Sequence, residues 1–277
     1  MRYIDCIILV GNKDKMPELP EVEIMRRYFE NAAMDKEIVG LEFHDPLFKV
    51  FKSEPKDLEK ALIGAKFTES QRIGKYLFLK TSKNSWLHLH FGMTGDLEIF
   101  RSKELPKYTR FVFQFDDGDK LAFRDLRKFG VIQLVSSPEA FCESSNLGED
   151  LLSVTPEYFR EKVSTRKIAI KTALLDQKHF AGIGNWIADE VLFNCGIHPK
   201  KPCHSISSEK LQELLLNAQE VVRIAIDRDT HYGEFPEGFF VNYRKEKAVH
   251  PKFPNSPVER LVVGGRGTFI VPEKQKL

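Results

Sequence analysis

Apolar residues beyond position 17 follow two different rhythms along the chain. Val22, Met25, Phe29, Ala32 and Ala33 recur at the spacing of one helical face, and Pro20 suits a first helical turn, where its missing N–H costs nothing. The rhythm then shortens to strand-like runs: Lys75 to Lys80, Trp86 to Phe91, Arg110 to Phe115 and Lys120 to Phe123. In the third run Phe111, Phe113 and Phe115 alternate with Val112 and Gln114, which predicts a strand with one buried face. Asp116-Asp117-Gly118-Asp119 supplies a hairpin turn to the fourth. A mainly antiparallel β domain is expected from about Lys36 to Val135, with a helix leading into it.

The stretch from Ser136 to Asn146, rich in Ser, Pro and Asn, reads as a loop, and the pattern beyond it turns helical. Thr155-Pro156 opens one helix, Lys167 to Leu175 forms another, Ile187 to Phe193 a third and Glu209 to Ile226 a long fourth. Ala181-Gly182-Ile183-Gly184 and Gly196-Ile197-His198-Pro199 break this section as turns. From Phe239 onward, short apolar runs separated by Pro251, Pro254 and Pro257, with Gly264-Gly265 near the end, predict a small hairpin module.

Length allows two domains, since 277 residues can bury two cores of ordinary size. Net charge is only +2, but from Asn242 to Leu277 eight Lys or Arg stand against three Glu, so the positive charge is concentrated at one end. A phosphate-facing module and a solvated basic tail both fit that asymmetry. The four cysteines, Cys6, Cys142, Cys195 and Cys203, form no C-x-x-C pair, which argues against a disulfide scaffold and for a reducing compartment. His198, Cys203 and His204 near Cys195 fit no common zinc spacing. No stretch reaches the ~18 apolar residues of a membrane span, and Cys6 to Val10 is too short for a secretory segment. The expected location is cytoplasmic, nucleoid-associated if the source is bacterial, and the expected state is a monomer.

Met16-Pro17-Glu18-Leu19-Pro20-Glu21-Val22-Glu23 carries the sharpest chemistry. An internal proline has a tertiary amide nitrogen, but at a free N-terminus it becomes a secondary amine. The reference pKa of an α-amine is about 8, so a useful fraction is unprotonated near neutrality. Such an amine can attack a sugar C1′ and form an iminium. In isolation the octet reads better as a proline-flanked helix start.

The octet, with Ile73-Gly74-Lys75-Tyr76-Leu77, His90-Phe91-Gly92-Met93-Thr94-Gly95, Asp125-Leu126-Arg127-Lys128-Phe129-Gly130 and Ala181-Gly182-Ile183-Gly184-Asn185-Trp186-Ile187-Ala188-Asp189-Glu190, resembles the formamidopyrimidine-DNA glycosylase and endonuclease VIII family. The motifs stand in the family's order, the resemblance runs from Pro17 to the C-terminus, and Leu19 resembles the formamidopyrimidine branch. It implies an α+β fold. A leader (1–15) would precede an N-terminal antiparallel β-sandwich with flanking helices (16–135) and a linker (136–150). A helix-two-turn-helix domain (151–238) and a finger hairpin (239–277) would follow.

The resemblance implies damaged double-stranded DNA as partner, and base-excision repair by a bifunctional glycosylase and β,δ-elimination lyase acting on oxidised bases such as formamidopyrimidines. Pro17 would be the Schiff-base nucleophile, Glu18 the acid that protonates the opening deoxyribose, Glu21 a support of this segment and Lys75 a grip on phosphate. Both carboxylates also suit a helix start, favoured by the macrodipole. Met93, Arg127 and Phe129 match the triad that fills the hole left by an everted base. Here Phe91, Leu126 and Lys128 replace the commoner Leu, Pro and Arg. Asn185 behind Gly182 and Gly184 would bind the DNA backbone, with Lys171 and Lys178 adding charge nearby and Arg266 reaching lesion-side phosphates.

The finger departs from the family's usual pattern. Val271 and Lys274 occupy two zinc-cysteine positions, and Val249 and Lys252 align with the other two, so a zincless finger is expected, with no cofactor. Its stability would come from packing of Phe253, Leu261, Val263, Phe269 and Val271. Residues 227–238 are too few for the usual lesion-capping loop, leaving oxidised pyrimidines, formamidopyrimidines and hydantoins open. Met1 to Lys15 conflicts with the chemistry, because an extended chain makes Pro17 an internal amide with no free amine. Initiation at Met16 with methionine removal is the simplest resolution; trimming and an inactive extended form are the others. A non-catalytic binder of damaged DNA or DNA structure, built on the same fold, is the rival reading.

Overall fold

The computed structural model describes residues 16–277 apart from positions 46 and 48, so the expected leader, Met1 to Lys15, lies outside the described residues. Among the described residues the chain divides into two compact units, one of residues 16–17 and 21–145, the other of residues 18–20 and 146–277.

In the first unit the expected opening helix is α1 (Leu19–Ala33), whose initial two residues belong to the second unit. After it come β1 (Ile38–Phe43), α2 (Pro55–Leu62), β2 (Phe67–Ile73), β3 (Tyr76–Thr81), β4 (Trp86–His90), β5 (Gly95–Phe100), β6 (Thr109–Phe115), β7 (Lys120–Asp125) and β8 (Val131–Val135). They form two antiparallel four-stranded sheets, ordered β1-β6-β7-β5 and β2-β3-β4-β8. Both sheets and the buried face of α1 contribute to one apolar cluster that includes Val22, Met25, Phe29, Phe67, Leu89, Phe111 and Phe113. Its rings meet edge to face, Phe29 on Phe67 at 4.9 Å and Phe67 on Phe113 at 5.6 Å, the arrangement their quadrupoles favour. Val112, expected on a wet face, is buried as well, between its register partners Glu42 and Ala122, so only Arg110 and Gln114 of the interior strand β6 keep partial exposure.

The stretch expected as a loop after β8 instead contains α3 (Pro138–Ser144). Its Ser and Pro are helix-start chemistry: the Ser137 hydroxyl accepts the Ala140 N–H at 3.1 Å, and Pro138 takes the first helical position.

In the second unit β9 (Glu149–Asp150) precedes α4 (Pro156–Val163), which Thr155 caps by accepting from Tyr158 N at 3.2 Å. Next come α5 (Ile170–Leu174), β10 (Phe180–Ala181), parallel to β9, then α6 (Asn185–Asn194), α7 (Ser208–Asp227) and the hairpin β11 (Glu259–Val263) with β12 (Arg266–Ile270). Helix α5 is shorter than expected, because Ala169 is extended and bridges Pro202. Trp186 to Phe193 of α6 are all buried, Asp189 and Glu190 included, which makes α6 the central helix of this unit. Phe193 stacks on Phe240 at 4.5 Å within a cluster shared with Val258 and Val271. Among the described residues no helix is long and apolar enough to cross a membrane.

Candidate functional site

Glu18 is buried, and both carboxylate oxygens are spent on the first turn of α6. Oε1 accepts the Trp186 N–H at 2.8 Å and Oε2 the Ile187 N–H at 3.2 Å. A carboxylate is favoured there by the free N–H groups and the positive end of the helix dipole. The two motif glycines make room for it. A Cβ at Gly184 would lie 2.0 Å from the Glu18 carboxyl carbon, and one at Gly182, where φ is +110°, would lie 2.5 Å from Leu19 Cδ1. Gln177 holds the same turn, its amide oxygen accepting Gly182 N at 3.0 Å and its amide nitrogen donating to Ile183 O at 2.8 Å.

The anion held at the Trp186 and Ile187 amides is Glu18, and the glycines exist to let it approach. Pro17, bonded directly to Glu18, is buried, and Glu21 is buried in the first turn of α1.

Lys171 requires a correction. It is fully buried rather than phosphate-facing, and its ammonium donates to Asp189 Oδ1 at 2.6 Å, Thr268 Oγ1 at 2.8 Å and Gly267 O at 3.3 Å. Burial holds its pKa below the ordinary lysine range against the pull of Asp189. The other oxygen of Asp189 accepts Arg244 Nε at 3.0 Å and Nη2 at 2.8 Å. The Asn185 amide donates to Gly267 O at 3.0 Å, so this side chain, expected on the DNA backbone, is engaged with the hairpin. These bonds tie α5 and α6 to β12, on whose first residue Arg266 stands exposed.

In the first unit two loops carry the wedge candidates. Arg127 and Phe129 are exposed, Phe129 by 53%, with the guanidinium 4.9 Å from the ring centroid, while Met93 is half-buried. Lys128, one of the departures from the family pattern, adopts φ +57° and turns away to pair with the buried Asp45 at 2.7 Å. Phe91, another, is buried and stacked on Phe123.

Lys75 follows Gly74, a turn residue with φ +57° whose carbonyl accepts Arg72 Nη1 at 3.1 Å; Arg72 Nε reaches Glu23 at 3.2 Å. Burial, reinforced by the charge of Lys75, pushes the His90 pKa down to about 4. The neutral ring can therefore accept the Gly92 N–H on Nδ1, at 3.1 Å, in the Met93 loop. Arg72, Gln177, Asp189 and Arg244 escaped the sequence reading; Asp189 lies inside a quoted motif, but motif membership does not say which member is the anchor.

The finger residues do not fit zinc. Val271 is packed in the apolar cluster, and the Lys274 ammonium lies 4.4 Å from the Phe193 ring centroid, with its pKa lowered chiefly by burial. Neither side chain offers a metal-binding lone pair as a thiolate does. Among the described residues no group of three or more His, Cys, Asp or Glu could hold a metal ion.

Comparison with known proteins agrees with this architecture. The family model of the formamidopyrimidine-DNA glycosylase N-terminal domain matches residues 16–132, and that of the formamidopyrimidine-DNA glycosylase H2TH domain matches 147–235. The chain is 34% identical to a formamidopyrimidine-DNA glycosylase of Arabidopsis thaliana, over 95% of this chain and 71% of that protein. Against that of Bacillus subtilis strain 168 it is 32% identical, over 94% and 99%. Among solved structures, the complex between the Lactococcus lactis Fpg and an abasic-site-containing DNA matches with TM-score 0.84 at 26% identity, covering 94% of this chain and 100% of that one. MutM in complex with DNA containing carbocyclic 8-oxo-G matches with TM-score 0.84 at 27% identity and the same coverage.

Proposed function

The chain belongs to the formamidopyrimidine-DNA glycosylase family, and from that premise we propose that it is a base-excision repair enzyme, a DNA glycosylase and abasic-site lyase for oxidised bases such as formamidopyrimidines. The observation that carries this reading is the Glu18 carboxylate, fixed by the Trp186 and Ile187 amides beside the proline that must act. The form starting at Pro17 has a secondary amine there, and the family match beginning at Met16 supports that form.

The Pro17 lone pair attacks C1′, the bond from C1′ to the base breaks, and the base leaves with the electron pair. Glu18, held as a carboxylate, takes the proton that the Pro17 nitrogen sheds and passes it to the ring oxygen as the sugar opens to an iminium. The cationic iminium makes the C2′ proton acidic. Its removal expels the 3′ phosphate by β-elimination, δ-elimination releases the 5′ phosphate, and water frees the amine. Met93, Arg127 and Phe129 occupy the vacated stack, while Lys75 and Arg266 meet phosphate. No cofactor enters this chemistry, and the finger holds without zinc through its packing and the Lys171–Asp189–Arg244 network.

Borohydride trapping on duplexes carrying one oxidised base or one abasic site tests the reading. Protein beginning at Pro17 is expected to give a covalent adduct that Pro17→Gly abolishes. Protein retaining residues 1–16 is expected to bind without trapping. Tight binding without trapping by both forms would replace the enzyme with a damaged-DNA binder.

A further inference from the structure

The two wedge loops come from different strand connections, residues 91–94 before β5 and residues 126–130 after β7, yet one fully buried carboxylate holds both. Asp125 Oδ1 accepts the Thr94 hydroxyl at 2.5 Å and the Arg127 N–H at 3.1 Å, and Oδ2 accepts the Gly130 N–H at 2.7 Å. The Arg127 N–H is shared with Thr94 Oγ1, also at 3.1 Å. The backbone of Asp125 is fixed in turn: its N–H donates to Tyr108 O at 3.0 Å, its carbonyl accepts Arg110 Nε at 2.8 Å, and in the sheet it pairs with Gly95. The loops also touch directly, because a Cβ on Gly92 would lie 2.4 Å from the Phe129 carbonyl carbon. Neither loop can shift alone without breaking a buried hydrogen bond or closing a contact that has no slack.

We infer that Thr94 and Asp125 are positioning residues that lock Met93, Arg127 and Phe129 into a single wedge, so that the three side chains enter the duplex together rather than one after another. The inference rests on the wedge reading proposed above. A neutral hydroxyl and two amides on one carboxylate give directional bonds that hold the loop backbones and leave the wedge side chains free to face a ligand. Coupling of this kind has a signature: residues acting as a unit give non-multiplicative effects when removed together.

The experiment is a double-mutant cycle on the full protein beginning at Pro17, read by stopped-flow fluorescence of 2-aminopurine placed opposite the lesion. With the lock intact, Met93→Ala and Phe129→Ala are each expected to slow the insertion phase by on the order of tenfold, and the pair by about as much as either alone. In a Thr94→Val background, which keeps the shape but removes the hydroxyl, the pair is expected to multiply to on the order of a hundredfold. Thr94→Ser is expected to restore the wild-type pattern. Multiplicative effects in the Thr94 protein, or an unchanged pattern in Thr94→Val, overturn the inference. Asp125→Asn, with thermal melting to establish that it folds, provides a second route: an unchanged pattern in that folded protein also overturns it. Absence of both borohydride adduct and fluorescence change in the unsubstituted protein would instead sink the functional reading itself.

Discussion

Arg127 stands exposed in a loop that buried Asp125 secures, and Arg266 stands exposed at the start of β12, which buried Asp189 secures through Lys171, but the two anchors differ in kind. Asp125 accepts from a hydroxyl and two backbone amides, whereas Asp189 sits between two cations, Lys171 and Arg244. The first anchor holds one residue's charge with dipoles already fixed by the backbone. The second gathers three charges in a dry interior, where each depends on the others for compensation. The Met93 and Phe129 loops are therefore held by directionality and the hairpin by charge balance, and the second arrangement is the more fragile to loss of a single member.

The largest effect is expected at the charge-balanced anchor. Asp189→Ala removes the carboxylate that pairs directly with both Lys171 and Arg244, and a loss of about 3–5 kcal/mol is expected, read as a fall in the urea midpoint. A drop smaller than that for Asp125→Ala would invert the comparison. Asp125→Ala leaves the buried Gly130 amide without its acceptor and the Arg127 amide with Thr94 Oγ1 alone, with an expected cost of about 1–3 kcal/mol in the same titration.

Stability should also depend on acid through His88 and His90, whose pKa values burial pushes down to about 3 and about 4 from 6.5. The unfolded chain takes up protons near 6.5 while the folded chain does not. Their contribution is thus complete above 6.5 and is lost as pH falls toward about 4 for His90 and about 3 for His88, at up to about 1.4 kcal/mol per pH unit for each ring. His88 has no hydrogen-bond partner on either ring nitrogen, so His88→Phe is expected to flatten the decline in melting temperature between pH 7 and pH 5 without removing a bond. An equal decline in both proteins would contradict this.

Two smaller effects sharpen the contrast between the arginines. Arg266→Ala is expected to weaken DNA binding across sequences and to reduce the slope of log K against log salt by about 1, while Arg127→Ala leaves that slope and alters dependence on the opposite base. Filter binding over a salt series with varied opposite bases separates them. The smallest is a chelator: EDTA is expected to leave the melting temperature unchanged, and a fall would show that the hairpin needs a metal after all.

Much of the molecule was legible beforehand because its signals are local. The periodicity of Val22, Met25, Phe29 and Ala33 located α1, and Thr155-Pro156 located the start of α4. Where local signals were ambiguous the reading failed: Ser137 and Pro138 suit a loop as well as a helix cap, and only the continuation through Ser144 distinguishes them.

The amino-acid order alone determined which residue types stand at each turn and helix face, and so which chemistry the chain can attempt. What the tertiary structure decided is which polar groups face solvent and which are consumed inside. Lys171 became a buried strut because Asp189, Thr268 and Gly267 close around it, and Gly184 became a space for Glu18 because α6 begins just after it. Those outcomes depend on pairs as far apart as positions 18 and 186. Periodicity compares near neighbours along a helix or strand; the free energy of a buried charge depends on whatever the folded chain brings within about 3 Å of it.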